Sequence, residues 1–511
     1  MSKEKIGLLL LIIGVLFVLR WNSFTAPFER DEGEYAYDAR VLLDGGLPYR
    51  DSNSQKPPLI FYTYALANVI DRTAVWPPRV LAFGFEVLTV FVVSLIARKK
   101  WGAASAFISV PIFALMLNFP PLAPFAANTE IFALLPLVLV MYLYVKYRGE
   151  VNNLIIFLAG FFAACSLLYK PIVLYMLVFI FVVWLLEILK LKSWRRFLLS
   201  IAATGLGGLT AAVLILGYFF YRDGLKSFWE CAVAFNAAYM SQYGWGLGNF
   251  FSRLSTFVSY WWVILFLTVW YFIRLLKAEW WLAGLLLCGL LAVYTSPIGH
   301  YYLILMPVWA LMITYAIFSL SEFIKEKSSG KKVYGYLVVG LLVSTVWPIA
   351  NQFSLSPDGV AMWIYGPRNP FIESAVAAEK LSQITKPSDL VFVAGSEPQI
   401  LHLADRKSAS RFVTTYSLNM ATPFREAYQK EAVAELSANP PAAIVVSPNE
   451  ESGLWSAGSP RIFMDYLQDI LNKDYTLVGG YVWSLPGGQW KDVLSNEDVN
   501  NASLLLYVKK N

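Results

Sequence analysis

The 511-residue sequence predicts an α-helical polytopic membrane protein carrying a C-terminal soluble α/β domain. Three observations predict this. Charged residues make up only 15% of the chain and apolar residues 57%, whereas soluble domains carry about 25% charged residues. The apolar residues fall in repeated runs long enough to cross a hydrocarbon core of about 30 Å, which takes about 20 residues per helix. Beyond about residue 351 the long runs stop and short apolar strands alternate with helical patterns.

About eleven spans are expected: 5–20, 76–97, 102–118, 129–146, 152–169, 171–189, 197–220, 255–273, 279–296, 299–319 and 333–350. The first run follows Lys3 and Lys5, as a signal peptide would. Arg20-Trp21-Asn22 stands where a small-residue cleavage site would be, so the run reads as a retained first span. The 18 Trp and 29 Tyr suit a protein with two membrane interfaces, where amphipathic rings settle.

Orientation follows from the basic loops. With the N-terminus inside, Arg98-Lys99-Lys100, Lys146 with Arg148, Lys190 through Arg196, Arg274 with Lys277, and Lys325 through Lys332 all fall in the cytoplasm. The short outer connections at 119–128 and 297–299 carry no basic residue. A multi-pass protein of the inner (plasma) membrane results. Its membrane domain spans 1–350, with long external loops at about 21–75 and 221–253, and the extracytoplasmic α/β domain spans 351–511.

Within the first loop, Tyr35, Ala39, Leu42 and Leu43 recur at helical spacing over 34–43, the pattern of an interfacial helix. In the tail, 390–393, 443–446 and 504–507 read as strands, and Asn369-Pro370 as the cap and first turn of a helix reaching Ile384. No internal repeat is visible in the sequence.

Composition also narrows the function. The net charge of +6 comes from short Lys/Arg clusters between apolar runs, the pattern of topology signals rather than of nucleic-acid binding. Cys165, Cys231 and Cys288 form no CxxC or Cys/His spacing, so neither a disulfide framework nor a structural zinc site is expected. No Gly-rich phosphate loop follows a strand, so no nucleotide-sugar pocket is indicated.

The polar residues next to spans carry more information, because charge at a membrane is costly. Glu29-Arg30-Asp31-Glu32-Gly33-Glu34 follows the first span; crowded acids must hold a cation, a proton or a base, though a solvated loop start has the same composition. Lys56, held by Pro57-Pro58, is a fixed positive charge suited to phosphate, or an interfacial lysine that snorkels. Glu130 opens the fourth span after Asn128-Thr129; it suits a helix N-terminus and is also a candidate ligand. Lys170, in Leu168-Tyr169-Lys170-Pro171, joins two apolar spans that need no lysine. His300-Tyr301-Tyr302 opens the tenth span, and His402, the other histidine, lies in the tail as a core or surface residue. The expected topology puts the span-adjacent residues on the outer face. Lysines and acids together there suit an anionic lipid-linked substrate, with the lysines on its phosphate and a carboxylate as base.

These residues resemble the bacterial and archaeal GT-C glycosyltransferases related to protein O-mannosyltransferases and to the aminoarabinose transferase that modifies lipid A. The resemblance covers about residues 1–320. Arg30-Asp31-Glu32-Gly33-Glu34-Tyr35 matches that family's first-loop acidic motif, and Lys56-Pro57 its Lys-Pro motif. Asn128-Thr129-Glu130 resembles its second acidic position, Lys170-Pro171 a basic site facing lipid phosphate, and His300-Tyr301-Tyr302-Leu303 its His-Tyr motif. Glu130 stands where some relatives carry Asp, and about eleven spans where some carry thirteen.

The resemblance implies Asp31 and Glu32 as catalytic residues, and Arg30, Tyr35, Lys56, Glu130, Lys170, His300 and Tyr301 as substrate-binding ones. It also implies a divalent cation (Mg, Mn or Zn) on Asp31 and Glu130. The donor would be a polyprenyl-phosphate sugar, the acceptor a lipid, glycan or protein, and transfer would invert the anomeric centre. Phe228, Trp229, Tyr239, Tyr243 and Trp245 in the second long loop offer aromatic surface for sugar or isoprenoid, or interfacial anchors. The rival readings are a membrane transporter or lipid-linked glycan flippase, a ligase using polyprenyl-pyrophosphate glycans, and a membrane scaffold.

Overall fold

The computed structural model describes residues 2–510 except 151, 241–246, 295, 297, 326–338, 341, 342, 344, 485 and 486. Half of the expected span at 333–350 lies outside the described residues, as do Tyr243 and Trp245. The chain divides into two compact units. One comprises Met1–Phe24, Arg79–Gly217 and Gly244–Leu355; the other comprises Thr25–Pro78, Tyr218–Tyr243 and Ser356–Asn511.

The first unit is helical. Six helices are long and apolar enough to cross a membrane: Trp76–Trp101 (α4), Thr129–Tyr147 (α6), Pro171–Leu189, Trp194–Tyr221 (α9), Gly248–Ala278 and Gly299–Glu322. These are six of the eleven expected spans. Three others, Ala103–Leu117 (α5), Asn153–Tyr169 (α7) and Trp280–Val293, are shorter apolar helices. At 1.5 Å per residue a helix of 14 to 17 residues reaches only ~21–26 Å, short of a 30 Å core. The helix at Lys3–Arg20 (α1) has 18 residues but carries Lys3, Glu4, Lys5 and Arg20.

Lipid as solvent explains the surface of α9, where Leu198, Leu206, Leu209, Val213 and Leu214 are all exposed. Inside the unit, buried charge meets opposite charge. The buried Arg20 guanidinium meets Glu86 and donates to the Phe125 carbonyl at 2.9 Å. Small residues let helices close up. A Cβ on Gly160 would lie 2.2 Å from the Thr204 carbonyl, and one on Gly207 would lie 2.0 Å from that of Phe157, so α7 and α9 touch backbone to backbone.

The second unit is built on a six-stranded mixed sheet, ordered β2-β1-β3-β6-β4-β5. Its strands are β1 Leu390–Ala394, β2 Lys407–Ser408, β3 Ala443–Val446, β4 Tyr475–Ser484, β5 Gly487–Lys491 and β6 Ala502–Lys509. β1 pairs in parallel with β2 and β3, and the other pairings are antiparallel. The three strands expected from sequence are β1, β3 and β6. Their side chains alternate between two cores. Phe392, Ile444 and Leu505 pack with the helices Arg425–Ala438 and Ile462–Asp474. Val391, Val393, Val445 and Leu506 pack with Phe371–Ile384. That last helix starts one residue later than expected: Pro370 is its cap, and the Asn369 amide donates back to the Tyr365 carbonyl at 2.8 Å.

Both long loops enter these cores, through Tyr37 on one side and Phe235 on the other. The first loop forms helices α2, Arg30–Leu43, and α3, Leu59–Ile70. Instead of exposing a polar face, α2 is buried all round from Glu32 to Arg40. It lies between α3 and the tail turn Gln399–Leu403, so an interfacial reading of this segment does not hold.

His402 sits in that turn, fully buried, and neither ring nitrogen has a partner among the described residues. Burial, aided by the Arg40 charge, pushes its pKa down to about 3. An unfolded histidine titrates near 6.5, so below that pH the unfolded chain binds a proton that the folded one refuses. Stability is therefore expected to fall between pH 6.5 and 3 by about 1.4 kcal/mol per unit from this residue alone. Denaturant melts of wild type and His402→Phe across pH 4.5–7.5 check this; parallel pH dependences would overturn it.

Candidate active site

The first turn of α2 is locked by its own sequence. The Glu29 carboxylate accepts the backbone N–H of Asp31 at 3.0 Å and of Glu32 at 3.3 Å. The Glu32 carboxylate accepts the Glu29 N–H at 3.3 Å, which closes a capping box. Glu32, a catalytic candidate on sequence, is thus fully buried and occupied in the cap. Burial raises the Glu29 pKa well above the usual range, and Asp31 and Glu32 add to the shift.

Asp31 is left facing outward, with a quarter of its side chain exposed. Its Oδ2 lies 2.8 Å from Lys56 Nζ, and the Tyr35 hydroxyl donates to it at 3.4 Å. The Lys56 ammonium also sits 5.5 Å from the centre of the Tyr35 ring, which is buried against Tyr64. The lysine is fixed from behind. Pro57 biases its backbone toward extended conformations, the Tyr49 hydroxyl donates to its carbonyl at 2.7 Å, and its N–H donates to Ser54 Oγ at 3.4 Å. Asp31, Tyr35 and Lys56 are therefore brought together.

Arg30 is turned the other way. Its Nε donates to the Ser396 carbonyl at 2.5 Å and its Nη2 meets Glu397 Oε1 at 2.6 Å. Its Nη1 reaches Asn369 and Tyr416, each at 3.4 Å. These partners all belong to the tail.

One helical turn inward from Asp31, Glu34 is buried and accepts Ser54 Oγ–H at 2.5 Å. Burial pushes its pKa up to about 7; Lys56 opposes that shift and Asp31 reinforces it. Asp38, one turn further, is held well above the usual range by burial and then by Glu34. Glu34 belongs to the acidic group expected from sequence, whereas Asp38 and Glu397 are not among the expected residues. The spacing of Asp31, Glu34 and Asp38 along one helix face is the signal for Asp38.

The first unit holds a second cluster. Glu130 lies in the first turn of α6, fully buried. Its Oε1 is 2.6 Å from Lys170 Nζ and 3.8 Å from His300 Nε2, and the Thr129 hydroxyl donates to its Oε2 at 3.1 Å. Lys170 Nζ stands 3.9 Å from the centre of the Tyr301 ring, which in turn packs on His300. Pro171 explains the placement: Lys170 is extended (φ −153°, ψ 108°), ends α7, and begins the next turn. Asn128 takes the cap position of α6 without a side-chain capping bond. Glu130, Lys170, His300 and Tyr301, scattered over 172 positions, thus form one cluster.

Among the described residues no three His, Cys, Asp or Glu side chains form a metal-ligand group, and Asp31 and Glu130 each pair with a lysine ammonium.

No family model and no curated protein matches the chain. Solved structures do. ArnT from Cupriavidus metallidurans bound to undecaprenyl phosphate aligns over 98% of this chain and 97% of its own, at 13% identity and a TM-score of 0.58. Its apo form aligns over the same shares at 13% identity and a TM-score of 0.59. The Archaeoglobus fulgidus oligosaccharyltransferase in complex with Zn and sulfate aligns over 95% of this chain and 73% of its own, at 13% identity and a TM-score of 0.50. These are GT-C glycosyltransferases, and the chain has their fold.

Lys170→Met is expected to strand a buried charge on Glu130 and cost about 3–5 kcal/mol of stability. Adding Glu130→Gln should recover most of the loss. Melting temperatures in detergent check both; a single variant as stable as wild type would show that the pair is not needed for folding.

Proposed function

We propose that this protein transfers a sugar from a polyprenyl-phosphate-linked donor to an acceptor hydroxyl at the extracytoplasmic face of the membrane. The carrying observation is the Asp31–Lys56 pair at 2.8 Å on a locked helix start. A base and a phosphate-binding cation stand side by side, outside the membrane-spanning helices, in a chain with the GT-C fold. ArnT was solved with undecaprenyl phosphate, which makes that lipid phosphate the donor carrier to try first.

The chemistry follows from the charges. The bond from the anomeric carbon to the phosphate oxygen breaks, and the lipid phosphate leaves with an added negative charge. Lys56 offsets that charge. The acceptor oxygen attacks from the opposite face, so the anomeric centre inverts, and its proton goes to Asp31.

Resting Asp31 is tied to Lys56. A donor phosphate competes for the ammonium, so donor binding releases the carboxylate to act as base. Tyr35 stays bonded to Asp31 and holds its orientation. Lys56 supplies the positive charge at the leaving phosphate, and no step passes through a metal.

The transport reading has no observation in its favour. Asp31, Glu130, Lys170 and His300 all stand at or beside helix ends, whereas substrate sites of transporters favour the midplane.

Purified protein should turn over at least one undecaprenyl-phosphate sugar from a panel, with lipid, glycan and peptide acceptors in parallel. Asp31→Asn should lower kcat by about 10² to 10⁴ with little change in donor KM. Lys56→Ala should raise donor KM at least tenfold. No turnover and no donor binding across the panel, or an Asp31→Asn variant as active as wild type, would overturn the assignment.

A further inference from the structure

The tail segment Ser396–Gln399 is bound to the start of the acidic helix through contacts that a mere covering domain would not need. Glu397 is fully buried, and both its oxygens are used: Oε1 by Arg30 Nη2 at 2.6 Å and Oε2 by Gln399 Nε2 at 2.6 Å. Gln399 Nε2 is anchored in turn on Ser374 Oγ at 3.0 Å. The Arg30 guanidinium also lies 5.6 Å from the ring centres of Phe371 and Tyr416. Three residues along α2, a Cβ on Gly33 would fall 2.5 Å from the Gln399 backbone nitrogen. The tail backbone therefore rests directly on the turn that carries Asp31, at a point where only a glycine leaves room.

We propose that this segment is a positioning element of the transfer reaction. Glu397 and the Gln399 backbone, acting through Arg30 and Gly33, hold the first turn of α2 where Asp31 must stand. The proposal rests on the reading of Asp31 as the base. The α/β tail then helps to support the catalytic loop, and Glu397 is a positioning residue rather than a catalytic one.

The effect is local, because the other end of α2 has its own ties to the tail. The Tyr37 hydroxyl accepts the Ser408 N–H at 2.9 Å, and Arg40 Nη1 donates to the Leu401 and Arg406 carbonyls at 3.3 and 3.0 Å. Loss of the Arg30–Glu397 pair loosens one turn and leaves the helix docked.

Hydrogen exchange and donor turnover on the full chain, comparing wild type, Glu397→Gln, Glu397→Asp, Gly33→Ala and Asp31→Asn, test this. In Glu397→Gln, amide exchange over residues 29–35 should rise at least tenfold while residues 371–384 and 443–446 keep wild-type rates. Its kcat should fall about tenfold to a hundredfold, the loss expected of a base displaced by about 1 Å, with donor KM within threefold. Glu397→Asp, which keeps the charge, should recover part of kcat, and Gly33→Ala, which crowds the turn from the other side, should repeat the loss.

Unchanged exchange over 29–35 in both Glu397→Gln and Gly33→Ala overturns the clamp, whatever the activity. Faster exchange with full kcat, where Asp31→Asn is inactive, overturns the positioning role and leaves the transferase reading standing. Full turnover by Asp31→Asn removes the base assignment and the positioning role with it.

Discussion

A carboxylate taken out of water must meet a cation or keep a proton, and the arrangement of this protein depends on how that demand is met. In the first unit the demand falls on Glu86 and Glu130, which are met by Arg20 and Lys170. In the second it falls on a run of acids along α2 and its neighbours. Glu397 is met by Arg30 and Asp31 by Lys56. Among the described residues Glu29, Glu34 and Asp38 form no such ion pair, and burial raises their pKa values. The helix thus runs from a paired, partly exposed acid at its start to acids that favour their protons deeper in. Asp31, at the exposed end, stays near solvent and beside Lys56, while Glu29, Glu34 and Asp38 add less negative charge than their number suggests.

Each lysine neutralises an acid in the resting protein, and in the proposed reaction Lys56 is also the group that meets the donor phosphate. The Asp31–Lys56 pair suits that exchange, because an incoming phosphate oxygen offers the ammonium a partner of the same charge type. The side-chain exposure of Asp31 and Lys56, 25% and 14%, is compatible with that exchange, whereas Glu130 at 1% is shielded. The two clusters are therefore unlike in kind: one accessible and based on a loop helix, the other buried and built where spans begin and end.

Much of the site was legible from sequence because its residues are chemically conspicuous beside apolar runs. The acids at 29–34, Lys56 before two prolines, and Lys170 before Pro171 stand out, and the structure pairs Asp31 with Lys56 and Glu130 with Lys170. Glu32 and Arg30 stand out just as strongly, yet one closes a helix cap and the other binds the tail. Nothing in a linear string separates an acid that faces solvent from one that caps a helix one residue later. The shorter apolar helices show the same boundary: hydrophobicity located α5 and α7, but their lengths of 15 and 17 residues were set by Gly102, Asn118 and the Lys170-Pro171 turn.

The sequence by itself determined that the chain carries long apolar helices, that its tail is α/β, and which charged residues flank apolar runs, because each follows from local composition and periodicity. Only the tertiary structure decided that α2 is a buried helix, that Arg30 answers to Glu397 across 367 positions, and that Gly33 is the place where tail backbone touches acidic helix. Those facts depend on which surfaces meet after the chain folds back on itself. Burial, ion pairing and the proton affinity of each acid are properties of that meeting and not of any residue taken alone.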